Sequence, residues 1–287
     1  MPTTIWINGQ YKSRDDATVS VFDHGLLYGD GVFEGIRAYG GRIFRLGEHI
    51  DRLYASAKAI WLDPGMAPAD MRKMVEEAQV RSGIKDSYIR LVITRGVGDL
   101  GMDPRKCEQP TVFCIVDTIA LWSRDRYERG LTCITAATPI SHKENLSPRV
   151  KSLNYLSHIL AKIESIAANV DEAIMLDSAG YVAEASGMNL FCVRRGVIRT
   201  PPPYSGILRG VTRDALLELA RDANYGVAEE PLNRYDLYSA DEVFLSGTAA
   251  ELAAVTKLDG RVIGTGVSGP VVADLSRRFR ALVSSGD

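Results

Sequence analysis

No stretch of this chain comes near the roughly 20 apolar residues that a membrane-crossing helix requires, and neither sign of charge prevails. The formal net charge is -2, with 24% charged and 46% hydrophobic residues over 287 positions. That balance gives no electrostatic ground for nucleic acid or an anionic membrane surface as a partner. The opening residues, Met1-Pro2-Thr3-Thr4-Ile5-Trp6, lack the basic region and apolar stretch of an export signal. Cysteine is scarce: Cys107, Cys114, Cys133 and Cys192 form no CxxC pair, and most lie in apolar, strand-like runs. They read as buried, reduced thiols of a cytoplasmic protein. His24, His49, His142 and His158 show no metal-ligand spacing, so no metal is expected, and no motif marks a serine nucleophile. His24, just ahead of a glycine-rich stretch, is expected to be structural.

What is present organises the chain into two α+β domains. Asn8-Gly9 is a hairpin signal after a strand at Thr4 to Ile7, and Gly40-Gly41 separates two strand-like runs between Val32 and Arg45. Amphipathic spacing predicts helices from Glu48 to Ile60 and from Pro68, placed for a first turn, to Arg81. Strands follow at Ser87 to Thr94 and Thr111 to Val116. Apolar and then charged residues from Asp117 to Arg129 break the pattern. They place a first domain at 1–117, a linking loop at 118–128 and a second domain at 129–287. In the latter, strands are expected at Leu131 to Ala137, Glu172 to Leu176, Asn189 to Val193 and Glu242 to Leu245. Helices are expected after Lys151, over Leu153 to Ala168, from Val211 to Asn224 and from Pro270. Strands and helices mix without regular βαβ alternation, which speaks against a doubly wound sheet.

Two groups stand out chemically. Lys151 opens an apolar helical run, and Glu184 lies among small residues leading into the strand at Asn189. An amine and a carboxylate, each introducing an apolar element, are what a carbonyl cofactor with a basic ring nitrogen requires. Three segments suit a phosphate. Arg52 can offer a forked pair of donors, Gly206 to Asp214 is a glycine-containing helix start, and Ser246 to Ala250 is a hydroxyl-bearing turn after a strand. Each alone also has a plain structural reading: a surface arginine, an ordinary helix start, a strand-ending turn.

Their order along the chain carries more. Gly25-Leu26-Leu27-Tyr28-Gly29-Asp30-Gly31-Val32-Phe33-Glu34-Gly35-Ile36-Arg37, Arg52, Tyr88-Ile89-Arg90, Lys151 with Tyr155, Glu184, Gly210 to Thr212 and Ser246 to Ala250 span nearly the whole sequence. Together they resemble the fold-type IV pyridoxal-phosphate enzymes, and among these the branched-chain amino acid aminotransferases. The resemblance implies a two-domain architecture with the cofactor between the domains. It implies Lys151 as the catalytic lysine that links to pyridoxal 5′-phosphate and later carries the proton. Glu184 would face the pyridine nitrogen and Tyr155 the phenolic oxygen. Arg52, Leu208, Val211, Thr212 and Thr248 would complete cofactor binding. Tyr88 and Arg90, with backbone donors of Thr248 and Ala249, would recognise the substrate carboxylate. Phe33 and Gly35, with Tyr28 and Met102 from a neighbouring subunit, would line the side-chain pocket, so a homodimer or larger homo-oligomer with shared sites is implied. The implied reaction exchanges L-valine, L-leucine or L-isoleucine and 2-oxoglutarate for branched-chain 2-oxo acids and L-glutamate. D-amino acid aminotransferases, (R)-amine transaminases and aminodeoxychorismate lyases share the scaffold. The stretch Ile119-Ala120-Leu121-Trp122-Ser123 lacks a tyrosine found in some branched-chain enzymes, leaving the order of preference among substrates open.

Gly96-Val97-Gly98-Asp99-Leu100-Gly101 is a literal GxGxxG, the mark of a dinucleotide site when it opens a helix. Pro104 and Pro110 follow it and the next element is a strand, so it reads as a loop.

Overall fold

The Asn8-Gly9 pair does what its composition dictates. Both residues take positive φ (44° and 87°), the conformation of a tight hairpin turn. They join β1 (Thr4–Ile7) to β2 (Gln10–Lys12). The computed structural model describes residues 3–285. Met1 and Pro2, part of the segment read as lacking an export signal, and Gly286 and Asp287 lie outside the described residues. The chain divides into two compact units. One comprises residues 3–119 together with Val150–Asn154, and the other Ala120–Arg149 with Tyr155–Ser285.

In the first unit the hairpin is followed by the short helix α1 (His24–Tyr28), β3 (Gly31–Tyr39) and β4 (Arg42–Ile43). Helices α2 (Leu46–Ala59) and α3 (Pro68–Ser82) precede β5 (Tyr88–Thr94) and β6 (Thr111–Asp117). The strands form one antiparallel sheet in the order β2-β1-β6-β5-β3-β4. Ile50, Leu53 and Ala57 of α2 and Met71 and Val75 of α3 pack in one core with Ile36, Ile89 and Leu91 of the sheet. The apolar stripe of α2 carries two buried polar residues, His49 and Ser56.

The second unit holds α4 (Arg124–Arg129), β7 (Leu131–Thr135), α5 (Leu156–Ala167), β8 (Glu172–Leu176), β9 (Val182–Ala185), β10 (Asn189–Arg194) and β11 (Val197–Thr200). It continues through α6 (Val211–Asp222), β12 (Gly226–Glu229), α7 (Arg234–Tyr238), β13 (Glu242–Gly247), β14 (Glu251–Leu258), β15 (Arg261–Val262) and α8 (Pro270–Ser285). Its sheet runs β12-β11-β10-β13-β14-β7-β8-β9, with β15 beside β14. Pairings are mixed: β11/β12, β14/β7 and β7/β8 are parallel, and the others antiparallel. Leu190, Val243, Leu245, Ala253 and Val255 lie in its core.

The α+β class expected from the patterning is what the chain adopts. Two local readings differ from the structure. The segment read as a linking loop contains α4, whose charges pair one turn apart as Arg124 with Glu128 and Arg129 with Asp125. The helix read from Leu153 begins at Leu156, because Leu153 and Asn154 are already engaged. The Leu153 N–H donates to Gly31 O at 2.9 Å, and Asn154 Nδ2 donates to Gly29 O at 2.9 Å. Lys151, placed by sequence in the second domain, therefore travels with the first unit. Among the described residues no helix is long and apolar enough to cross a membrane. All four cysteines are unpaired, with Cys107 half-buried and the others buried. Burial pushes the Cys114 and Cys192 thiols up to about 12, so neither supplies a thiolate near neutral pH.

Candidate active site

Strand alternation sorts β3 into two faces. Phe33 and Gly35 point one way, Glu34 and Ile36 the other. Across the ladder Gly35 stands opposite Arg90, and Arg37 opposite Tyr88. The Tyr88 hydroxyl lies directly over Gly35, so closely that any Cβ there would collide with it at 2.1 Å. A side chain at position 35 would have to displace the Tyr88 hydroxyl. Arg90 Nη2 donates to the Tyr88 hydroxyl at 3.1 Å, and the guanidinium sits 4.8 Å from the centre of the Phe33 ring.

Lys151 joins this cluster through its backbone. The Phe33 N–H donates to Lys151 O at 3.0 Å, and the Lys151 N–H donates to Ser56 Oγ of α2 at 3.2 Å. An isolated antiparallel bridge pairs Val32 with Ser152. Residues 151–153 thus run as an added edge segment beside β3. The Lys151 amine comes to 4.6 Å from the Phe33 ring centre, so one aromatic ring is approached by two basic side chains. Each such contact is worth about 0.5–2 kcal/mol according to its exposure.

Arg52, expected to offer a forked pair of donors to a phosphate, already directs one such pair to a carboxylate. Its Nε and Nη2 donate to the two oxygens of Glu34, each at 2.7 Å, and His49 Nδ1 lies 2.7 Å from the same carboxylate. Burial alone would raise the Glu34 pKa. Arg52 and His49 outweigh it and hold the carboxyl at about 2. Burial in turn lowers His49 below its ordinary value, against the pull of Glu34. The imidazole is therefore neutral near pH 7, with Nδ1–H donating.

Tyr28 and Met102 stand on the surface of a single chain, 40% and 82% exposed. The Tyr28 hydroxyl donates to Leu100 O at 2.6 Å. The GxGxxG stretch opens no helix. It is a loop fastened to α1 by His24 N–H to Gly96 O, and by His24 Nε2 within 2.9 Å of Asp99 O. Gly96 takes φ 91° and lies so near Gln109 O that a Cβ would meet it at 1.8 Å, a packing reason for the glycine.

In the second unit Glu184, on β9, is 5% exposed. Its Oε2 accepts from Asn189 Nδ2 and from the Leu208 N–H, both at 3.1 Å. The Asn189 amide also donates to Leu208 O at 2.8 Å, tying the carboxylate to the segment that enters α6. Nothing in the sequence marks Asn189 for this duty beyond its place at a strand start. Gly210 caps α6 and has no side chain to accept from the first-turn N–H groups, with Val211 and Thr212 buried behind it. Ser246 is fully buried and its Oγ has no hydrogen-bond partner. The strand register sets it opposite Asn189. An uncapped helix N-terminus and an unsatisfied buried hydroxyl beside it fit a phosphate, and a buried carboxylate held by two donors fits a protonated ring nitrogen. The donor set therefore suits the cofactor implied by the sequence. Thr248 and Ala249 form the turn between β13 and β14. Tyr155, at the N-cap of α5, stacks on His158 at 4.6 Å. His158 Nδ1 lies 3.0 Å from Ser186 O, and the Ser186 hydroxyl donates to Glu172 at 2.6 Å. No sequence motif marks this support for Tyr155.

Known proteins resemble this chain along most of its length. The family model for amino-transferase class IV matches residues 31–258. A Methanocaldococcus jannaschii protein provisionally named a branched-chain-amino-acid aminotransferase is 50% identical over 277 residues, covering 96% of this chain and 95% of the relative. The structure of the T.th. branched-chain amino acid aminotransferase with pyridoxamine 5′-phosphate superposes with a TM-score of 0.94 at 37% identity. The match spans 99% of this chain and 95% of that one. The same T.th. enzyme complexed with N-(5′-phosphopyridoxyl)-L-glutamate gives 0.93 at 38% identity with the same coverage.

Proposed function

The chain belongs to the class IV aminotransferases, which work with pyridoxal 5′-phosphate, and we propose that it exchanges L-valine, L-leucine and L-isoleucine with 2-oxoglutarate. The products are the branched-chain 2-oxo acids and L-glutamate. The observation that carries this reading is the cluster on β3 and β5. An amine, an aromatic wall and an Arg–Tyr pair suited to a carboxylate meet there within one sheet. The glutamate-bearing ligand on the similar T.th. enzyme supports glutamate as the second amino acid.

When bound, the cofactor supplies an electrophilic carbonyl and an electron-withdrawing ring. This chain's residues do the rest. Lys151 Nζ would hold the cofactor through its carbonyl group and would then serve as the base that moves the substrate's α-proton. Glu184 would hold a proton on the ring nitrogen, and Tyr155 would hydrogen-bond the phenolic oxygen. Arg52, Leu208, Val211, Thr212 and Thr248 bind the cofactor, mainly through its phosphate. Tyr88 and Arg90, with the Thr248 and Ala249 backbone, orient the substrate carboxylate, while Phe33 and Gly35 shape the space for its side chain. In this reading residues 1–117 serve substrate recognition, residues 129–287 cofactor binding and residues 118–128 join them. The unpaired cysteines favour a cytoplasmic setting.

The test incubates purified, cofactor-loaded protein with 2-oxoglutarate and each amino acid and measures both products. Equal amounts of L-glutamate and branched-chain 2-oxo acid are expected from the L-amino acids. Turnover of D-amino acids or (R)-amines alone, or release of pyruvate from aminodeoxychorismate, would replace the assignment.

Tyr28 and Met102 would reach the site of a second copy, which requires a dimer. Support comes from α5, whose Leu156, Ile159, Leu160, Ile163 and Ile166 are 45% to 68% exposed at helical spacing. Burying a large aliphatic side chain is worth about 1.5–3 kcal/mol. The Ile159→Asp, Ile163→Asp protein should therefore sediment as a monomer at concentrations where the unaltered chain is dimeric. A dimer unaffected by both changes would remove α5 from the interface.

A further inference from the structure

Glu34 sits in the middle of the first unit with its carboxylate fully shielded from water. Three hydrogen bonds converge on it: two from Arg52 and one from His49. Removing such a group of charges and polar atoms from water is costly. Well-packed apolar side chains of similar volume fill such a space at least as favourably. Stability alone therefore gives no reason for this trio, and its geometry must be sought in what it orients.

The guanidinium is what it orients. An arginine side chain loses about 1.5–2 kcal/mol of rotamer entropy when fixed, and a ligand that must order it bears that cost on binding. Here the cost is met within the fold, because both Glu34 oxygens grip the guanidinium along its Nε–Nη2 edge and so set its plane. The grip is braced by His49, one turn earlier on α2, which shares the Oε2 oxygen with Arg52 Nη2. On the same face of α2, Ser56 accepts the Lys151 N–H. One helix stripe of His49, Arg52 and Ser56 thus holds both a phosphate-type donor and the backbone of the reactive lysine. The Arg52 side chain keeps 14% exposure, so it is not sealed behind the carboxylate.

We propose that Glu34, braced by His49, is a positioning residue that presets the Arg52 guanidinium for the phosphate of the cofactor. The inference rests on the reading of Arg52 given under the proposed function. It is tested by titrating the full-length apoprotein with pyridoxal 5′-phosphate and, in parallel, with pyridoxal, which lacks the phosphate. Glu34→Gln preserves volume but removes the charge and the two-oxygen grip. It should weaken pyridoxal 5′-phosphate binding by at least about tenfold and change pyridoxal binding by less than about twofold. Glu34→Asp retracts the same charge by one methylene. It should show the same selective loss, and it decides the matter if Glu34→Gln fails to fold. In an Arg52→Ala background, Glu34→Gln should add no further loss.

Equal weakening of both ligands would make Glu34 merely structural and overturn the inference. Wild-type affinity in both Glu34 variants, with Arg52→Ala weakened, would also overturn it while leaving the role of Arg52 intact. Wild-type affinity in Arg52→Ala would remove the underlying reading and the inference together.

Discussion

The Lys151→Ala protein is expected to fold normally and to turn over at least about 10⁴-fold more slowly, since the proposed mechanism uses one amine as both nucleophile and proton carrier. The expectation of normal folding comes from where Lys151 is anchored. Its N–H bonds Ser56 and its carbonyl accepts from Phe33, and both bonds belong to the backbone. Truncating the side chain removes the contact of the amine with the Phe33 ring, worth about 0.5–2 kcal/mol, and leaves both backbone bonds in place. Circular dichroism and the melting temperature should therefore stay close to those of the unaltered chain, while single-turnover measurements with L-leucine show no conversion. Near-normal rates in Lys151→Ala would discard the role assigned to this lysine.

Two substitutions at Glu184 separate charge from scaffolding. Glu184→Gln keeps an oxygen that can still accept from Asn189 Nδ2 and the Leu208 N–H, but it takes away the negative charge. Turnover should fall by about 10²–10³-fold, the scale seen when one preorganised electrostatic partner is lost, with little change in stability. Glu184→Ala should show a similar catalytic loss plus destabilisation of about 1–3 kcal/mol, because two buried donors lose their acceptor. Calorimetry and steady-state rates on the two proteins read these effects separately. Full activity in Glu184→Gln would mean that the carboxylate serves the fold alone.

The long elements were legible because their signals are repeated. Pro68 sits in the first turn of α3 as its chemistry suggests, and Asn8-Gly9 turns the first hairpin. β8 runs over the residues read for it, and α8 starts at Pro270 as expected. Elements that depend on distant partners were not legible. β14 is rich in alanine and carries no strand pattern, yet β13 and β7 recruit it from either side. α1 is five residues long and rests on a cap in which the Asp23 side chain accepts the Gly25 N–H, too brief for any periodicity to register.

The site divides in the same way. The residue types proposed to do chemistry, Lys151, Glu184, Tyr88 and Arg90, are visible as types. Their supports, Asn189, His49 and His158, act through contacts between positions far apart in the chain. Arg52 shows the difference most plainly. Its forked donors were evident, but their engagement by Glu34 appears only once β3 and α2 are packed.

Synthesis on the ribosome gives the edge segment beside β3 another meaning. Its bonds join residues 31–33 to residues 151–153, so the first unit cannot be completed when its own strands have emerged. At about 5–20 residues per second, the stretch 120–149 imposes a wait of seconds, during which the free edge of β3 stands open. Residues 151–153 are thus made after every strand of that sheet, and they close its open edge last.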